Sequence, residues 1–96
     1  MGKKFIPFPC EAALEERLRA LPRGYTQVWY QNKRYLLVCE DFNQGRSLKL
    51  WAEEMGGKDY LSSNVYFTRR GLLLKPCEMP APKVLRFLYH CHWEAG

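Results

Sequence analysis

Five consecutive apolar side chains, Tyr35-Leu-Leu-Val-Cys39, stand between Arg34 and Glu40, and they narrow the possible folds more than any other stretch of this chain. The run is bounded by turn-forming residues and rich in aromatic and β-branched types, which marks a strand over Arg34–Glu40. Side chains alternate across a strand, so Tyr35, Leu37 and Cys39 share one face while Leu36 and Val38 share the other. A strand apolar on both faces is either central to a sheet covered on both sides or covered by a partner subunit.

The flanking segments supply the rest of such a sheet. Tyr25-Thr-Gln-Val-Trp-Tyr-Gln31 has the same strand-like composition, and Asn32-Lys33 lies between the two runs as a tight hairpin. Asp41–Arg46 is a loop by composition. Ser47–Met55 fits two periods. As a strand it sets Leu48, Leu50 and Ala52 against Lys49, Trp51 and Glu53; as a helix it aligns Leu48, Trp51, Ala52 and Met55 between a Ser47 N-cap and a Gly56 exit. The strand reading is preferred, with a helical turn allowed near Glu53. Gly56–Asp59 then turns the chain into Tyr60–Thr68, a half-buried strand with Leu61, Ser63, Val65 and Phe67 inward. Arg69-Arg70-Gly71 turns it again into a short strand over Leu72–Lys75, and Pro76, Pro80 and Pro82 mark the exit from the sheet.

Helical stripes bracket these strands. Leu14, Leu18 and Leu21 recur at i, i+4 and i+7 in Glu11–Leu21, where Glu11 suits the positive helix end and Glu15 precedes Arg19 by four residues. Pro22 and Gly24 stop that helix. Val84, Leu85, Phe87, Leu88 and Cys91 form a second stripe within Lys83–His92. The expected fold is α+β: an antiparallel meander of four to five strands, with an N-terminal and a C-terminal helix packed on one face in two layers. The 96 residues make one domain, irregular over residues 1–9 and frayed over 93–96.

With 47% apolar and 15% aromatic residues, the chain can build a core without a metal or disulfide staple. Fifteen basic residues against ten acidic give +5, but they are spread along the sequence and form no charged tail. Residues 1–9 hold no apolar run of signal-peptide length, and no stretch approaches the ~20 apolar residues of a membrane-spanning helix. A cytoplasmic protein that keeps Cys10, Cys39, Cys77 and Cys91 as thiols and does not engage a membrane is the expectation.

Few residues point to chemistry. His90-Cys91-His92 has metal-ligand types, but in a helix the two histidines lie about 160° apart. There is no C-x-x-C pair, and no metal or cofactor is expected. Cys77, in an irregular segment beside Lys75, is the candidate reactive thiol, and with His90 or His92 it defines an alternative, a thiol-dependent or metal-assisted enzyme. Gly56-Gly57-Lys58 lacks the remaining residues of a phosphate loop.

Aromatic and basic side chains interleaved on one sheet face are the more promising feature. In the strand reading Lys49 and Trp51 lie beside Tyr60 and Tyr66, with Lys58, Arg69 and Arg70 at the turns. Stacking aromatics and phosphate-holding cations serve single-stranded nucleic acids. The same residues equally suit a homodimer interface, because a doubly apolar sheet needs cover on its second face. A non-enzymatic binding module is the expected class.

Overall fold

Two left-handed residues set the first hairpin. Gln31 and Asn32 have φ of 54° and 63°, the conformation a two-residue turn requires to match the twist of its strands. They join β1 (Gly24–Tyr30) to β2 (Lys33–Phe42), with Tyr30 opposite Lys33. The turn therefore falls one residue earlier than Asn32-Lys33: asparagine tolerates positive φ, and Lys33 is free to open the next strand. These elements belong to a computed structural model that describes residues 11–94. The expected irregular start over residues 1–9, Cys10, the Glu11 side chain and the last two residues of the expected frayed end lie outside the described residues.

β2 runs on through Asp41 and Phe42, which were expected in a loop. Asn43, Gln44 and Gly45 all take positive φ and reverse the chain within residues 43–46, so the strand has room to continue. The ambiguous segment is strand β3 (Ser47–Glu54), paired from Phe42 opposite Ser47 to Tyr35 opposite Glu54. Leu48, Leu50 and Ala52 are buried, whereas Trp51 and Met55, which a helix would have buried with them, are exposed. No helical turn interrupts Glu53. β4 (Tyr60–Thr68) and β5 (Gly71–Pro76) complete a five-stranded antiparallel sheet in the order β1-β2-β3-β4-β5.

The helices α1 (Glu11–Ala20) and α2 (Ala81–His90) pack on the same face. Leu14, Leu18 and Leu21 meet Val84, Phe87 and Leu88 there, over inward side chains from all five strands, including Val28, Tyr35, Leu37, Leu50, Leu61 and Leu74. Each fully buried aliphatic side chain is worth about 1.5 to 3 kcal/mol relative to solvent exposure. Tyr30, Tyr35 and Phe87 form an edge-to-face cluster with centroids 4.9 to 5.6 Å apart. The Arg19–Glu15 pair closes at 3.0 Å on the exposed side of α1.

α2 stops two residues short of the expected His92. Cys91 is extended, its N–H still donating to the Phe87 carbonyl, and His92 forms an antiparallel bridge with Trp29 on the open edge of β1. Arg17 from α1 holds this exit: Nε donates to the Leu88 carbonyl at 2.8 Å and a terminal nitrogen donates to the Cys91 carbonyl. Its guanidinium also lies 5.2 Å from the ring of Trp93, a half-buried residue packed against the core where a frayed end was expected. Among the described residues no helix is long and apolar enough to cross a membrane.

Candidate interaction surface

Strand alternation gives the sheet a second face, and nothing among the described residues covers it as the helices cover the first. Its side chains stand in rows fixed by register. One row runs Tyr25, Val38, Trp51 and Ser62; the next, on one side, runs Gln27, Leu36, Glu53 and Tyr60; the next, on the other side, runs Glu40, Lys49, Asn64 and Lys75. Tyr25 is 75% exposed, Tyr60 49%, Trp51 43% and Trp29 39%. Leu36 and Val38 are half-buried between them. The result is an aliphatic centre ringed by exposed aromatics on the outer face, opposite both helices.

The residues singled out from sequence divide into two sets. Lys49, Trp51, Tyr60 and Tyr66 do share this face. Lys58 sits in the turn before β4, and Arg69 and Arg70 in the turn after it, so about nine strand residues, roughly 30 Å, separate the two groups. Tyr25, Trp29, Arg34, Glu40 and Lys75 also lie on this face, and sequence reading did not connect them to it, although it set Glu53 beside Trp51 and paired Leu36 with Val38 on one side of their strand. The Gln31-Asn32 turn keeps Tyr25 on the face that the expected turn gave it but moves it from beside Glu40 to beside Val38.

The face carries both signs of charge. Lys49 and Lys75 share a row with Glu40, Glu53 lies four residues along β3 from Lys49, and Arg34 stands beside Trp29. Arg34 lies over the Trp29 ring at 4.8 Å. None of the four ion pairs found among the described residues engages Lys49, Glu40 or Glu53. Shallow hollows open beside the aromatics, one between Trp51 and Tyr60, another between Phe42 and Tyr66.

The thiol and histidine candidates are not brought together. The Cys77 N–H donates to the Ser62 carbonyl, which places this exposed residue at the β5 side of the sheet. His92 lies beyond β1 at the opposite edge and His90 ends α2 just before it, a separation of five strand spacings, on the order of 20 Å. Burial pushes the Cys39 and Cys91 thiols up, away from reactive thiolate character. Among the described residues no three histidine, cysteine or acidic side chains gather in a metal-binding group.

One polar cluster was not anticipated. The buried Tyr35 hydroxyl donates to Asp59 Oδ2 at 2.7 Å, and Lys83 Nζ lies 2.8 Å from Asp59 Oδ1. The Lys83 ammonium, aided by the Tyr35 hydroxyl against partial burial, holds the Asp59 carboxyl below its usual range. Burial, with Asp59 beside it, drives Tyr35 well above its own. These bonds tie the β3–β4 turn to the start of α2, and Lys83 also stands 5.7 Å from the Tyr60 ring. With that geometry in hand, comparison with protein-family models, curated proteins and solved structures found no match to this chain.

Proposed function

We propose that this protein is a non-enzymatic binding module of the cytoplasm that engages its partner through the outer sheet face. One observation carries the reading: Tyr25, Trp51 and Tyr60 stand exposed around Leu36 and Val38, on the face the helices leave open. Clustered exposed aromatics around an aliphatic centre are what interfaces use as anchors, because they desolvate a large area at little cost in side-chain entropy. Among the described residues Cys39, Cys77 and Cys91 are free thiols, which accords with a reducing compartment.

Two occupants fit a surface of this kind. A second copy of the chain suits its apolar centre and mixed charges. A single-stranded nucleic acid is favoured by Lys49 and Lys75, which share a row between Trp51 and Tyr66. A variant with Trp29→Phe and Trp93→Phe leaves Trp51 as the sole tryptophan and tests the face itself. Its emission is followed against the protein's own concentration, and against a single-stranded oligonucleotide at low and at high salt. The reading expects a blue shift in at least one titration; unchanged Trp51 emission in both overturns it.

A further inference from the structure

We propose that the outer face is occupied by a second copy of this chain, related by a two-fold axis that runs across the strands along the row of Tyr25, Val38 and Trp51. The inference rests on the outer-face reading above and names its partner.

Charge placement decides between the occupants. A phosphate backbone calls for a surface of one sign, and here Glu40 and Glu53 stand within the face beside Arg34 and Lys49. Along β3 the alternation is instead self-complementary, while on β2 the same exchange sets Glu40 of one copy beside Leu36 of the other. On β3 the outward side chains are Lys49, Trp51 and Glu53, with Trp51 midway and each about 6.6 Å from the next along the strand. A two-fold axis through the Trp51 row exchanges the two sides of that row. Lys49 of one copy then meets Glu53 of the other, and the reciprocal pair forms at the same time. Residues on the axis meet themselves, so Trp51 lies on its own copy, Val38 on its own copy and Tyr25 on its own copy, an aromatic and aliphatic centre between two ion pairs. Such an interface is isologous and closes on itself as a dimer.

Geometry and area agree. Two twisted sheets stack face to face about 10 Å apart with strands inclined by roughly 30°, an offset that lysine and glutamate side chains span. Five strands about 4.8 Å apart and about eight residues long, at ~3.3 Å per residue, offer roughly 600 Å² before side-chain relief is added, close to the ~800 Å² each partner of a stable pair buries. In the dimer the doubly apolar β2 becomes a strand covered on both faces.

Charge reversal tests the axis as well as the dimer. Sedimentation equilibrium from micromolar to millimolar protein should give twice the 11.4 kDa chain mass. Lys49→Glu and Glu53→Lys should each weaken association at least about tenfold, since each sets two like-charged pairs against one another. The double variant K49E/E53K should return to within a few-fold of the starting affinity. An equimolar mixture of the two single variants should form a heterodimer in preference to either homodimer. Both positions are exposed, and far-ultraviolet circular dichroism checks that each variant is folded. A dimer indifferent to the single reversals, or a double variant that stays weakened, overturns the proposal. A monomer whose Trp51 emission responds to the oligonucleotide overturns the second copy and leaves the outer-face reading standing; a monomer silent in both titrations overturns both.

Discussion

Replacing Arg17 by methionine isolates the contact that fastens the two ends of the described chain together. Methionine keeps the apolar stem against the core and removes the guanidinium, with its bonds to the Leu88 and Cys91 carbonyls and its position over Trp93. The last carbonyls of a helix have no partner within it. Here Cys91 N–H satisfies that of Phe87, and Arg17 that of Leu88. Hydrogen bonds to a charged group are worth about 1.5 to 3 kcal/mol when buried. The site is only part-buried, so water recovers some of this, and about 1 kcal/mol for each of the two bonds is the fairer figure. A cation at the negative helix pole and over an indole adds roughly 0.5 kcal/mol more. The expected loss is about 2 to 3 kcal/mol. At a urea dependence of ~1 to 1.5 kcal/mol per molar for a domain of this size, the denaturation midpoint falls by roughly 2 M. Arg17→Lys keeps the charge but cannot fork to two carbonyls, and should recover about half of the loss. A midpoint shift below about 0.5 M for methionine would refute the clasp. A lysine variant as stable as the parent would show that charge alone matters.

Asn32→Ala forces alanine into the left-handed region at φ 63°, and should cost about 1 kcal/mol, a melting point lower by ~4 to 8 °C, while Asn32→Gly holds or raises it. Because the Asp59 carboxyl is held low in the folded state, its contribution is complete above the unfolded carboxylate value near 4 and is lost as pH falls through the lower folded value. Lys83→Met removes the main cause, so urea midpoints measured from pH 7 to pH 3 should fall less steeply than in the parent; parallel curves would contradict this. Among the described thiols, Cys77 should alkylate with iodoacetamide in the native protein, while Cys39 and Cys91 react only on unfolding; mass spectrometry of the peptides reads the order.

Local pattern carried much of the fold. Leu14, Leu18 and Leu21 revealed α1 because a helix buries one stripe, and the alternation of Leu48, Leu50 and Ala52 favoured β3 over a helix that would have buried Trp51 and Met55. What escaped depends on neighbours that are remote in sequence. Arg17 reaches residues more than seventy positions away, and the His92 bridge to Trp29 ends α2 early for a reason that no periodicity within 81–92 contains. The outer face lay between these cases. Leu36 and Val38 were legible as one apolar side of β2, but the expected Asn32-Lys33 turn set Tyr25 opposite Glu40 instead of Val38, and the Val38–Trp51 pairing depends on the separate register of β2 with β3. Lys58, Arg69 and Arg70 were grouped with them through sequence proximity, although a whole strand keeps the two turns apart.

The unbroken β1-to-β5 order has a kinetic consequence. Every strand pairs only with its sequence neighbours, so the sheet can form hairpin by hairpin with short loops to close, which favours rapid assembly. The long closures are left to the ends, where Arg17 meets the exit of α2 and His92 lies along β1. Those ends are also where opening is expected to begin in the folded molecule. Amide exchange should distinguish a first, sub-global release of the terminal elements from the slower loss of the central strands.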